Sequence, residues 1–298
     1  MNRFSPIVMV LFLVWVPAVA EQPQAPADSP FAAFTRDWRD DPVWRDGSAE
    51  LAVYDARRTI DGQSVQYQAR LRTNTEWADP QTKTRSRTND GRHVFRHHLR
   101  ESIADANDQP VHISIMVFVG TSDLKSLKLE VGLLDADGAT FKQYVNHAGQ
   151  CQWHQFSYLP GEGYRSGGFA PPSSFAWLHA LSLLLRGYPF DDLAALDKPV
   201  RLALLEDQAS RGLSASEPRA FLLRYAGRET LDLPIKKVET HHLVVWPEEP
   251  RDDEDQARHY WFAVEAGPPW LHVMVRHDAP GGLSYRLAEL HRDPLLSP

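Results

Sequence analysis

The chain has 298 residues, a formal net charge of −7, 13 histidines and one cysteine. A mildly acidic balance gives no overall electrostatic reason to bind nucleic acid, and the lone Cys151 excludes an intramolecular disulfide framework. The length suits one large β domain or two ordinary ones.

The first residues pair a basic start, Arg3, with an apolar run from Ile7 to Val16 and an Ala18-Val19-Ala20 end. This is the pattern of a secretory signal peptide cleaved after Ala20. The run is shorter than the roughly 20 apolar residues a membrane-spanning helix needs, and no cysteine follows the cleavage point to carry a lipid. Loss of Arg3 takes the charge from −7 to −8. The expected product is exported, periplasmic or extracellular, and soluble. Residues 21–43 are expected to be a flexible leader with a short helix near its end, and residues 44–298 a single β-rich domain.

From Ala49 to Trp77 the pattern is a long hairpin about Asp61-Gly62. Val65, Tyr67, Ala69, Leu71, Thr73, Thr75 and Trp77 alternate with polar residues, which is a strand with one buried face, and Asp-Gly suits a type I′ turn. Thr82 to Thr88 also alternates and, with Asn89-Asp90-Gly91, predicts a further hairpin into His93 to Arg100. Val111 to Val119 is apolar on both faces, a strand covered on both sides. Leu127 to Leu133, Phe141 to Asn146 and Gln152 to Tyr158 complete this run. The segment from Ser173 or Ser174 to Arg186 predicts a helix ending at Gly187. It is apolar around most of its circumference, with a narrow stripe of His179, Ser182 and Arg186 expected to face solvent. Strands resume over Val200–Glu206, Phe221–Tyr225, Glu229–Leu233, Ile235–Trp246, His259–Glu265, Leu271–His277 and Leu283–Leu290. The expected fold is mainly β: a strongly curved antiparallel sheet, an incomplete barrel or cup, with one buried apolar helix covering its concave face.

The common hydrolase, metalloprotease, P-loop and dinucleotide signatures are absent, so no cofactor is expected. His97-His98, His147 with His154, and His241-His242 invite a metal, but adjacent histidines in a strand point to opposite faces; no metal site is expected. Asp135-Ala136-Asp137-Gly138 resembles the start of a calcium loop and fits a hairpin turn better. Cys151, His154 and Glu162 are the weak candidates for a nucleophile and base, set against a buried cysteine and an exposed turn. Lys83, Arg85, Arg87, Arg92, Arg96 and Arg100 against Asp90 give +5 over eighteen residues. That run suits peripheral contact with an anionic envelope surface or a charge-protected sheet edge.

Trp44-x-Asp46-Gly47-x-Ala49-Glu50 and Gln150-Cys151-Gln152-Trp153-His154-Gln155-Phe156-Ser157-Tyr158 followed by Gly161-Glu162-Gly163 resemble the pattern of an uncharacterised family of exported bacterial proteins. The similarity covers Trp44 to Tyr164, fades between Thr82 and Asn107, and implies no activity. In layout the C-terminal strands are similar to periplasmic lipoprotein carriers and lipocalin-like folds, which implies a curled sheet around an apolar cavity. The function expected is binding of an apolar or amphipathic, lipid-like ligand. Tyr67, Leu71, Trp77, Trp153, Phe156, Trp177, Leu181, Trp261 and Trp270 are the expected cavity lining. The alternatives are an envelope scaffold and an unrecognised hydrolase using Cys151 or His154 with Glu162.

Overall fold

A computed structural model describes residues 30–34, 37–60, 62–86, 88, 91–104, 108–158, 161–192, 197–206, 217–249 and 256–295. The signal-peptide pattern at residues 1–20 lies outside the described residues.

Strands β1 (Ser48–Ile60) and β2 (Gln63–Ala78) form the long hairpin, closed between Ile60 and Gln63 with Gly62 at φ 77°. Glycine adopts that left-handed conformation without steric cost. A meander follows through β3 (Arg92–Ala104), β4 (Pro110–Gly120), β5 (Ser126–Asp135), β6 (Gly138–His147), β7 (Gln150–Ser157) and β8 (Gly163–Phe169). The chain then crosses to the far edge with β9 (Phe175–Trp177) and returns through β10 (Val200–Leu205), β11 (Arg219–Asp232), β12 (Lys237–Pro247), β13 (Arg258–Ala263), β14 (Met274–Ala279) and β15 (Leu283–Pro294). Among the described residues, fifteen strands belong to one sheet, ordered β8-β7-β6-β5-β4-β3-β2-β1-β15-β14-β13-β12-β11-β10-β9. Every pairing is antiparallel except β9 with β10. The sheet is curled and unclosed. Its β9 edge tucks against β5, with the Trp177 ring 5.7 Å from that of Tyr144 on β6.

The fold class is as the alternation indicates, and local readings are corrected. Residues 173–177 do not join a helix: Phe175, Ala176 and Trp177 pair with Ala203, Leu204 and Leu205, and Ala203 donates to the Ser174 carbonyl. Aromatic residues suit a strand, and here tertiary pairing overrides the serine cap. The helical segment is therefore shorter. A 3-10 turn at Leu178–Ala180 leads into one α-turn at Leu181–Leu184, and a second 3-10 turn ends the segment at Leu185–Gly187. Among the described residues of the Thr82–Thr88 segment there is no strand beyond an Ala78–Arg85 bridge. There Asp79 Oδ1 accepts from the Gln81 and Thr82 amides, and Thr82 Oγ1 meets Thr84 Oγ1 at 2.8 Å; short polar side chains compete with the ladder for backbone groups. Strand β8 was not anticipated, because a glycine-rich edge strand carries no hydrophobic period. Ahead of β1, Phe31, Phe34, Trp38 and Trp44 are buried, and Trp38 stacks on Phe95 at 5.1 Å. Asp37–Asp40 form a single helical turn.

Strand β4 is apolar on both faces for a visible reason. Its inner residues Ile113, Ile115 and Val117 join the main core, while Phe118 packs outside with Ala78, Val94 and Leu127.

The stripe His179, Ser182 and Arg186 faces inward rather than to solvent. Arg186 is fully buried and paired with Glu50 on β1, Nη1 to Oε2 at 2.9 Å and Nη2 to Oε1 at 2.5 Å. Ser182 Oγ lies 2.8 Å from His97 Nε2. A guanidinium stays charged even when buried, so its desolvation is costly unless a fixed carboxylate meets it. Arg186→Met alone should cost about 3–5 kcal/mol, because it strands the Glu50 charge. The Glu50→Gln/Arg186→Met pair should recover part of that loss, as read by urea unfolding of both variants.

Candidate functional site

The middle seven strands of the sheet, β4-β3-β2-β1-β15-β14-β13, and the helical segment line an open cavity of about 430 Å³. Inward positions of the alternation supply its walls. From β1 come Tyr54 and Arg58, from β3 His97, Leu99 and Glu101, and from β4 Ile115 and Val117. Strand β13 gives Arg258 and Tyr260, β14 Met274 and His277, and β15 Leu283 and Tyr285. Leu178, His179 and Ser182 face the cavity from the helical segment.

The lining is divided chemically. Leu71, Leu99, Ile115, Val117, Leu178, Met274 and Leu283 form apolar walls. Against them stands a charged hydrogen-bond cluster on Glu101, whose side chain is 1% exposed. Glu101 Oε1 accepts from Tyr67 Oη at 2.8 Å and Tyr285 Oη at 2.6 Å, and Oε2 accepts from Arg58 Nη2 at 2.9 Å. Burial, then the Glu101 charge, holds both phenols well above their ordinary titration range, so they remain donors. Tyr54 Oη donates to the Met274 carbonyl at 2.8 Å.

At the inner end, the His97 ring is held between two hydroxyls, with Thr73 Oγ1 2.7 Å from Nδ1 and Ser182 Oγ 2.8 Å from Nε2. Burial, followed by the Arg186 charge, depresses its pKa well below the usual value and keeps it neutral. Burial likewise lowers His277 to about 3. Its Nδ1 donates to the His259 carbonyl at 2.9 Å, and its ring stacks on Tyr260 at 4.3 Å. A neutral ring that donates from Nδ1 leaves Nε2 as an acceptor.

Of the residues expected from sequence to line a cavity, Leu71 does so and Tyr67 buttresses Glu101 from beside it. The others lie elsewhere. Trp177 and Leu181 are fully buried in packed core. Trp153 packs over Gly167, Trp77 lies 5.0 Å from the His93 ring, and Phe156 is 51% exposed on the outer face. Trp261 donates to Glu229 and stacks on His242, and Trp270 lies under Lys236.

Cys151, His154 and Glu162 do not converge. Cys151 is buried on the inner face, and burial pushes its thiol up to about 12, far from a reactive thiolate. His154, an odd number of residues along the same strand, faces outward to Tyr164 Oη at 2.9 Å. Glu162 sits in the β7–β8 turn. The paired histidines divide as strand geometry requires: His97 faces the cavity, and His98 bonds Ser114 at 2.8 Å on the other side. His241 stacks on Phe190 at 4.0 Å, while His242 Nε2 meets His259 Nδ1 at 2.9 Å. Among the described residues, no three His, Cys, Asp or Glu side chains are grouped to hold a metal ion. Asp135 Oδ1 accepts from the Asp137 and Gly138 amides, so that segment is the β5–β6 turn. In the basic run, Lys83 is buried and donates to the Pro80 carbonyl. Arg85 is exposed, Arg92 pairs with Asp123, and Arg87 lies outside the described residues.

Sequence reasoning missed Arg58, Glu101, Arg258 and His277. The available signal was phase: Glu50, Tyr54 and Arg58 keep step with Ala52 and Ala56, and His97 and Glu101 with Leu99 and Ile103. Polar residues in the register of a buried face are candidate site residues.

No family model and no curated protein matches the chain. A solved structure does: the crystal structure of a beta-barrel-like protein of the domain of unknown function DUF1849 from Brucella abortus. It aligns at 8% identity over 82% of this chain and 97% of that chain, with a TM-score of 0.51. At that identity the likeness is one of fold, a beta-barrel-like sheet. Among the described residues no helix is long and apolar enough to cross a membrane.

The buried imidazoles make stability depend on acid. His277 binds its proton near pH 3 in the folded chain and near 6.5 when unfolded, so between those values the unfolded chain takes up more protons. Stability therefore falls as pH drops below about 6.5, and His98, His241 and His242, each lowered to about 4, add to the effect. The melting temperature should fall between pH 7 and pH 4.5, and His277→Gln should lose less over the same interval, as measured by calorimetry.

Proposed function

We propose that this protein is an exported envelope protein that binds an apolar or amphipathic, lipid-like ligand in the cavity between the helical segment and the central strands. The observation that carries this reading is the lining itself. Protein interiors are packed close to crystal density and leave few voids larger than a water, whereas a space of about 430 Å³ falls within the usual range of ligand pockets. The apolar walls suit a hydrocarbon chain, and the cluster around Glu101 suits a polar end. The signal-peptide pattern at residues 1–20 supports export. A scaffold role calls for a filled interior, and the hydrolase alternative loses its nucleophile and base to opposite faces of β7.

Protein isolated from the envelope of its own host and examined by native mass spectrometry should carry a lipid-sized adduct. The delipidated protein should bind a fluorescent fatty-acid probe. Ile115→Trp, which puts an indole into the space, should weaken probe binding at least tenfold while leaving the melting temperature within a few degrees. No adduct and no probe binding would remove this reading.

A further inference from the structure

The charges on the cavity wall narrow the ligand class, given that the cavity binds an amphiphile at all. The charged lining residues are Arg58, Glu101 and Arg258. Glu101 is spent: three donors, Arg58, Tyr67 and Tyr285, already converge on its two oxygens. It has little capacity left for an ammonium group.

Arg258 is in the opposite condition. Its Nη2 donates to Glu206 Oε1 at 2.8 Å, but Glu206 Oε2 also takes Arg219 at 3.2 Å, so two guanidiniums share one carboxylate. Arg258 Nε has no acceptor among the described residues. Counting this group with the Arg58–Glu101 pair gives three guanidiniums against two carboxylates. His97, His179 and His277 line the same space and bring no negative charge.

Position supports the same conclusion. Arg258 opens β13, with Val245 and, through His259, the end of β14 as neighbours. Arg58 lies near the end of β1, where Thr59 donates to the Gly281 carbonyl in the β14–β15 turn. Both cations therefore stand toward the hairpin end of the cavity. The apolar residues Val117 and Met274 and the His97–Ser182 contact lie further along their strands. We propose that the ligand is a single-chain amphiphile with an anionic head, a carboxylate or a phosphate ester, seated against Arg258 with its tail along Leu99, Ile115 and Val117.

The test is a head-group series on one tail. Delipidated full-length protein at pH 8 is titrated with dodecanoate, dodecyl phosphate, dodecanol and dodecyltrimethylammonium, reading displacement of a neutral fluorescent probe. The two anions should bind about tenfold or more tightly than the alcohol and the ammonium, the scale of one charge-assisted contact. Added salt should narrow the gap. Arg258→Met should abolish the preference, bringing the anions to within about twofold of dodecanol measured on the same variant, and Arg258→Lys should retain most of it. If all four bind with equal affinity, or the ammonium binds best, the anionic assignment is wrong and the cavity reading stands. If none binds, the cavity reading fails and takes this inference with it. The wild-type series decides the matter whether or not the variants fold.

Discussion

The Glu50–Arg186 pair is the contact on which the interior depends. Removing two charges from water costs several kcal/mol per ion unless each is met by a fixed partner, and here the geometry meets both. Glu50 projects inward from β1, and Arg186 reaches it from the last turn of the helical segment, with Trp44 stacked 5.9 Å from the guanidinium. The Trp44 indole in turn donates to the Trp38 carbonyl at 2.6 Å. The pair thus ties the helical segment to the central strand, and the N-terminal aromatic cluster covers the tie. The His97–Ser182 contact is a second fixed point on the same segment. Directional bonds at two places set the distance from segment to sheet, so the apolar walls cannot collapse together and the space between them persists.

Curvature divides the interior into two regimes. Fifteen strands are too many for a barrel whose inside is filled by side chains alone. The ends of the sheet respond by folding inward: β9 and the fully buried Trp177 occupy the space beneath β5 and β6. The middle seven strands have no such filler, and the cavity lies there. The same polypeptide therefore has a solid flank and a hollow centre, with the helical segment as the partition.

The period-two patterning made the strands and the single curled sheet legible, because burial on one face of a twisted sheet imposes alternation regardless of what the interior contains. Its failures share a cause. At Phe175–Trp177 a short strand borrows its hydrogen bonds from β10, far along the chain, and nothing local reports that. At Thr82–Thr88 alternation of threonine with arginine imitates a strand, while the side chains are bonding their own backbone. The aromatic residues that looked most suited to a ligand fill the core or the outer face, since large rings pack wherever space allows. Beside its apolar walls, the cavity is lined by charged and polar residues that an amphipathic reading assigns to water. Arg58, Glu101 and Arg186 were visible only as breaks in the expected polarity of a buried face.

The pairing of β1 with β15 bears on the order of events during synthesis. The first and last of the described strands are neighbours at the centre of the sheet, with Ser48 opposite Pro294. Until β15 has been synthesised, β1 presents one unpaired edge. Such an edge is a template for wrong partners. The N-terminal half can form its meander early, yet the hollow centre, bounded on both sides of that seam, comes into being only with the last strand. Any chaperone that escorts this chain would have its most urgent task at β1.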